Sequence, residues 1–225
     1  MNGTLAVESA GSARRRFSTI KLLIAIAVFF VSMPFIEPLP SGPLIESIFF
    51  TVVLVLGVRA IADRRWHVVV AGMLTFVALT GRWTHYFRPD VMPPELFLIA
   101  GILFVLFVII NLLRFVLTAS EVDKEVLSAS ISAYLLLGLL WTLAYWLVAE
   151  LVPNAFAFSG ADKSLKGFNG FYFSFITMST VGYGDITPVA KVARMLAASE
   201  SVTGSLYIAV LIARLVALQT ARKSS

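Results

Sequence analysis

The stretch Thr177-Met178-Ser179-Thr180-Val181-Gly182-Tyr183-Gly184-Asp185-Ile186-Thr187-Pro188 decides how the rest of the chain is read. Glycines at 182 and 184 permit left-handed backbone angles that other residues resist. Interleaving them with Val181 and Tyr183 lets successive carbonyls point to one side. Such a row, with the Thr180 hydroxyl at its end, can replace the water around a dehydrated monovalent cation. One strand carries too few oxygens to surround an ion, so several copies of the chain must share an axis.

Working outward, the aromatic run Phe168–Met178 precedes this segment. It is too short to cross a hydrocarbon core, which needs roughly 20 helical residues. It reads as a re-entrant helix feeding a loop, since irregular backbone at membrane depth survives only under protein or aqueous cover. Six longer apolar runs surround it: Ile20–Ile36, Leu44–Ile61, Trp66–Thr80, Leu96–Leu117, Val126–Val152 and Val189–Leu218. Breakers separate them at Pro38–Pro43, Asp63-Arg64-Arg65, Arg88-Pro89-Asp90 and Pro93-Pro94. The fold class expected is therefore an all-α membrane protein. It has six transmembrane helices, with the re-entrant helix and loop between the fifth and sixth.

Composition agrees. Of 225 residues, 59% are hydrophobic and 14% charged, and the mean hydropathy is +0.89. Soluble domains sit near about 45–50% apolar and 25% charged. A soluble fold of this length cannot hide so much apolar surface, which excludes an ordinary soluble enzyme and a disordered chain. The net charge of +5 reads as cytoplasmic loops meeting anionic lipid, not as a nucleic-acid footprint. There is no cysteine, so disulfides, thiolate metal sites and cysteine nucleophiles are excluded. His67 and His85 stand alone and form no metal-ligand cluster.

Lys and Arg placement sets the orientation. With the amino terminus inside, 12 of the 18 basic residues fall on the cytoplasmic side. Arg82, Arg88, Lys163, Lys166, Lys191 and Arg194 fall outside. This places a multi-pass protein in the cell membrane with both termini cytoplasmic. Arg14-Arg15-Arg16-Phe17 before an apolar run also fits a secretory or twin-arginine leader. No small-residue cleavage site follows, and a retained first span is expected. Only Gln219–Ser225 follow the last run, so no soluble ligand-binding domain is expected on this chain.

Thr180-Val181-Gly182-Tyr183-Gly184 resembles, residue for residue, the selectivity filter of potassium channels, and the surrounding order of outer span, short aromatic helix, filter and inner span is similar too. The resemblance is specific over Val126–Leu218 and weak over the first four spans. It implies a homotetramer with one filter strand per subunit, K+ as permeant ion and no cofactor. The implied division is a tail over 1–19, a four-span bundle over 20–117, a linker over 118–125, a pore domain over 126–218 and a tail over 219–225.

Carried over by position, Thr180, Val181, Gly182 and Tyr183 would supply the K+ ligands, and Gly184 would turn the chain at the outer mouth. Asp185 would either join a carboxylate ring or brace the filter through a hydrogen bond. Tyr172 and Phe173 occupy the aromatic-cuff positions. Phe173 departs from the family pattern because it cannot donate a hydrogen bond to Tyr183. The C-terminal dipole of the short helix would favour a cation in a central cavity.

Thr187-Pro188 reads as the cap and first residue of the inner span. Gly204 lies where the family commonly places a hinge, though a small residue for close packing fits equally. Ser205, Ile208, Ile212 and Val216 recur at helical spacing, as a cavity or gate lining or as a packing stripe. Glu200 is an ionisable group at membrane depth, which is costly and a functional hypothesis by default. It is expected behind the filter, protonated or hydrogen-bonded to short-helix backbone, as a structural brace or as a control on conduction.

The fourth span carries a single cation, Arg114, near its cytoplasmic end. Steep voltage gating needs about three to four charges per subunit, so no sensor-driven gating is expected. Ser120-x-x-Asp123 reads as a capping box before the fifth span. Trp141, Tyr145 and Trp146 suit an aromatic belt or internal packing.

The leading reading is passive potassium-selective conduction without covalent chemistry, hence no enzyme. A transporter subunit would show repeated broken spans. A poorly selective cation channel would favour a residue other than Tyr183. A nonconducting or regulatory subunit partnering another channel or transporter stands as the alternative.

Overall fold

The computed structural model describes residues 2–60, 65–88, 93–160 and 163–223. Asp63, Arg64, Pro89 and Asp90, read above as breakers, lie outside the described residues. The chain is built from seven helices and one two-stranded ribbon among the described residues. They run α1 (Asn2–Ile36), α2 (Gly42–Ala60), α3 (Arg65–Phe87), α4 (Pro94–Thr118), α5 (Lys124–Leu151), β1 (Phe156–Phe158), α6 (Phe168–Met178), β2 (Ile186–Pro188) and α7 (Lys191–Lys223).

Five helices carry segments long and apolar enough to cross a membrane: Thr19–Ile36, Gly42–Ala60, Pro94–Thr118, Lys124–Leu151 and Lys191–Ala217. At 23 residues, α3 is long enough, but Arg82, His85 and its other polar residues dilute its apolar character. It runs beyond the expected Trp66–Thr80. Near its C-terminal end Arg82 pairs with Glu46 of α2 at 3.1 Å, and its Nε donates to Ser47 Oγ at 3.1 Å. The pair gives both charges a partner near the ends of their helices, where the cost of burial is smallest.

Local chemistry explains most boundaries. Pro43 sits in the first turn of α2, and Pro94 opens α4, where a missing N–H costs nothing. The α5 start corrects the expected capping box. Asp123 is the cap, accepting from the amides of Glu125 at 3.0 Å and Val126 at 2.9 Å. Ser120 lies three residues upstream of that cap, in the turn that closes α4. The α1 helix continues back to Asn2, through residues expected to form a tail.

Thr187-Pro188, expected to open the last helix, lie instead in β2, and α7 begins at Lys191. Register explains this: Phe156, Ala157 and Phe158 pair antiparallel with Pro188, Thr187 and Ile186. Pro188 is the last residue of β2, a strand position where its missing donor is tolerated. The ribbon continues as Ser159 N donates to Asp185 O at 2.9 Å and Val189 N to Ala155 O at 2.8 Å. It ties the loop after α5 to the segment between the filter sequence and α7.

The larger of two buried apolar clusters runs mainly through α1, α2, α4 and α5, and the smaller joins α5, the ribbon and α6 around Tyr145, Phe156 and Phe173. Leu22, Ile26, Phe29 and Met33 of α1 are buried in the larger, as are Phe104, Val105, Val108 and Leu112 of α4 and Ala129, Ala133, Leu136 and Leu143 of α5. At the other end of the bundle, buried Glu125 accepts a hydrogen bond from Thr19 Oγ1. Arg214 of α7 reaches the C-terminal end of α4, donating to Leu117 O at 3.0 Å and Ala119 O at 2.9 Å. A basic side chain on the last carbonyls of a helix satisfies acceptors that have no intrahelical donor.

Candidate functional site

The short helix α6 is seated between α5 and α7 by two glycines. A Cβ at Gly138 of α5 would lie 2.6 Å from the Phe175 ring. A Cβ at Gly204 of α7 would lie 2.5 Å from both Met178 Cγ and the Met178 carbonyl oxygen. Gly204 therefore permits α7 to touch the last turn of α6. This geometry assigns it a close-packing contact; the helix continues unbroken from Lys191 to Lys223.

Beyond Met178 the backbone leaves the helix under tight control. Ser179 N donates to Phe175 O and Thr180 N to Thr177 O, each at 3.0 Å. The amides of Val181 and Gly182 both return to Ile176 O, at 2.8 and 3.1 Å. Positive φ then falls on alternate residues: Thr180 at 61°, Gly182 at 52° and Gly184 at 82°. The two glycines occupy the conformation that their sequence positions suggested. Thr180 does so with a β-branched side chain, a conformation costing about 1–3 kcal/mol and usually kept for function.

Ser179 through Gly184 are all exposed on this single chain, with Val181 at 51% and Tyr183 at 72%. Asp185 is held at three points. Tyr172 OH donates to its Oδ2 at 2.6 Å, Ile186 N to its Oδ1 at 3.0 Å, and Ser159 N to its backbone oxygen. The Tyr172 hydrogen bond holds the Asp185 carboxyl below the usual carboxylate range. Tyr172 thus supplies a hydrogen-bonding contact beside the filter sequence. Phe173 turns the other way, edge-on to Tyr145 at 4.9 Å and to Phe156 at 5.6 Å.

Glu200 is fully buried behind α6, on the helix it was expected to occupy. Its partners are side chains of two neighbouring helices, not the short-helix backbone. Ser174 Oγ lies 2.6 Å from Oε1, and Tyr145 OH donates to Oε2. Ser174 Oγ also lies 2.8 Å from Gly138 O, so the cluster joins α5, α6 and α7. Tyr145 is therefore a buried structural residue, which its place among Trp141 and Trp146 suggested only as one of two readings. Trp146 likewise donates inward, to Leu165 O at 2.8 Å.

Ser205, Ile208, Ile212 and Val216 are exposed along α7. Only 11% of the membrane window of α7 is buried, against 67% for α5, so most of α7 is not buried within one chain. No cluster of three His, Cys, Asp or Glu residues that could hold a metal ion occurs among the described residues.

Residues 133–220 match the family model described as Ion channel (Ion_trans_2). That span takes in most of α5, all of α6 and the filter sequence, and nearly all of α7. A 77-residue stretch, 34% of this chain, is 35% identical to the inward rectifier potassium channel Kirbac3.1 of Paramagnetospirillum magnetotacticum. The matched stretch spans 24% of that relative's length. No solved structure matches. Over these residues the chain is similar to ion channels, and over part of them to a prokaryotic potassium channel.

Proposed function

We propose that the protein conducts K+ passively and selectively across the membrane as a homotetramer. Each chain contributes one strand, Thr180–Gly184, whose carbonyls and Thr180 hydroxyl replace the hydration shell of the ion. In this reading α6 is re-entrant, α3 completes six spans, and both termini lie in the cytoplasm. The α7 helices line the cavity below the filter through Ser205, Ile208, Ile212 and Val216, and lipid covers the outer helices.

The observation that carries this reading is the alternation of positive φ at Thr180, Gly182 and Gly184 on an exposed loop at the C-terminal end of α6. That alternation is what aligns carbonyls along one side of a strand. The bare α7 surface supports partner copies, because apolar side chains such as Ile208 and Ile212 there need either lipid or neighbouring helices. The four-span bundle has no charge ladder; Arg114 is the single cation within α4, so opening does not depend on a charged voltage sensor.

Native mass spectrometry of the lipid-extracted protein, paired with K+ efflux from liposomes, tests the assembly and the activity together. A tetramer with efflux that is abolished by Gly182→Ala is the expected result. A monomer or dimer that still conducts would overturn the tetrameric pore.

A further inference from the structure

The N-terminus of α6 lacks a local cap. Gly167 contributes no side chain, and no acidic residue lies in the first turn. Its first amide is satisfied from the end of α1: Phe168 N donates to Glu37 Oε2 at 3.0 Å, across 131 residues of sequence. Glu37 directly follows α1, and its own amide still bonds Met33 O at 3.0 Å, so the carboxylate is carried by the end of that helix. Gly167 holds φ at +64°, and a Cβ there would run into the Glu37 carboxylate.

A second line of contacts runs in parallel. Phe29 and Phe30 of α1 meet Phe171 edge-on at 5.4 and 5.3 Å, and Phe30 meets Phe175 at 4.8 Å. Phe175 O in turn accepts from Ser179 N at 3.0 Å and Ser179 Oγ at 2.6 Å, one residue before Thr180. The first helix therefore grips α6 at its start and again beside the filter sequence.

We propose that Glu37 is a positioning residue for the ion path, by which the first span fixes the axis of α6 and so the register of the filter. The inference rests on the channel reading above. A carboxylate on the free amides of a helix start is favoured by both hydrogen bonding and the helix dipole. The helix is only about 16 Å long at 1.5 Å per residue, so a tilt released at its first turn displaces its last turn directly. Glu37 is exposed, so its replacement removes this contact without opening the core.

The test uses the full chain in lipid nanodiscs and in planar bilayers, as wild type, Glu37→Ala and Glu37→Gln. Glu37→Ala is expected to exchange the Phe168 amide about twofold to fivefold faster, the size of a lost helix-end interaction. The same variant is expected to lower the K+ over Na+ permeability ratio while assembling as wild type. Glu37→Gln keeps an acceptor oxygen and is expected to restore both readouts towards wild type. Unchanged exchange and selectivity in Glu37→Ala would overturn the proposal. So would equal losses in the Ala and Gln variants, which would mark an effect of surface charge, or failure of Glu37→Ala to assemble. Silent wild-type protein would count against the channel reading, and exchange at Phe168 would then decide the role of Glu37 alone.

Discussion

Ser174 Oγ of the short helix lies 2.6 Å from Glu200 Oε1 of the inner helix, within a site that no solvent reaches. With Tyr145 bonded to the other carboxyl oxygen, three helices meet on one acid. Leaving one buried partner unsatisfied costs about 1–3 kcal/mol. Ser174→Ala and Tyr145→Phe are each expected to lower the thermal stability of the assembled protein by about that amount. Glu200→Gln retains an acceptor and a donor and is expected to stay near wild type, whereas Glu200→Leu is expected to lose assembly. Thermal melts of the four variants check this, and a Glu200→Leu protein as stable as wild type would contradict the network.

The Tyr172–Asp185 contact has a pH signature. Because the Tyr172 hydrogen bond lowers the folded-state pKa of Asp185, the contact stabilises this segment above the unfolded carboxyl value. That stabilisation is lost as pH falls through the depressed folded value. Tyr172→Phe removes the largest of the causes that lower the Asp185 carboxyl, so Asp185 is expected to titrate at higher pH in that variant than in wild type. Carboxyl carbon NMR of Asp185 in both proteins reads this, and coincident titrations would contradict the brace.

Gly204 separates packing from hinge motion. Alanine gains about 1 kcal/mol of helix propensity over glycine. Against this, a Cβ placed 2.5 Å from the Met178 carbonyl meets backbone, and overpacking costs about 1–3 kcal/mol. Gly204→Ala is expected to be net destabilising and to disturb ion selectivity through the end of α6. Bilayer recording of the variant checks this; altered opening with wild-type selectivity would favour the hinge.

The legible part of this molecule was the part written in backbone chemistry. Gly182 and Gly184 announce their φ values because glycine alone adopts them without a Cβ penalty, and the long apolar runs announce helices because lipid demands about 20 residues of them. Glu200 drew attention because a carboxyl at that depth needs partners. Those partners were not legible, since Ser174 and Tyr145 lie 26 and 55 residues away. Thr187-Pro188 misled for the same reason: locally it reads as a helix start, but pairing with Phe156–Phe158 draws it into a ribbon. Glu37 carried no signal at all, because its role depends on where α1 ends relative to α6.

Selective K+ conduction through Thr180–Gly184 is read by the reversal potential of the purified protein in a planar bilayer, with K+ on one side and Na+ on the other. A large reversal potential of the sign set by K+ is expected, collapsing towards zero in Gly182→Ala. A reversal potential near zero for the wild-type protein would contradict it.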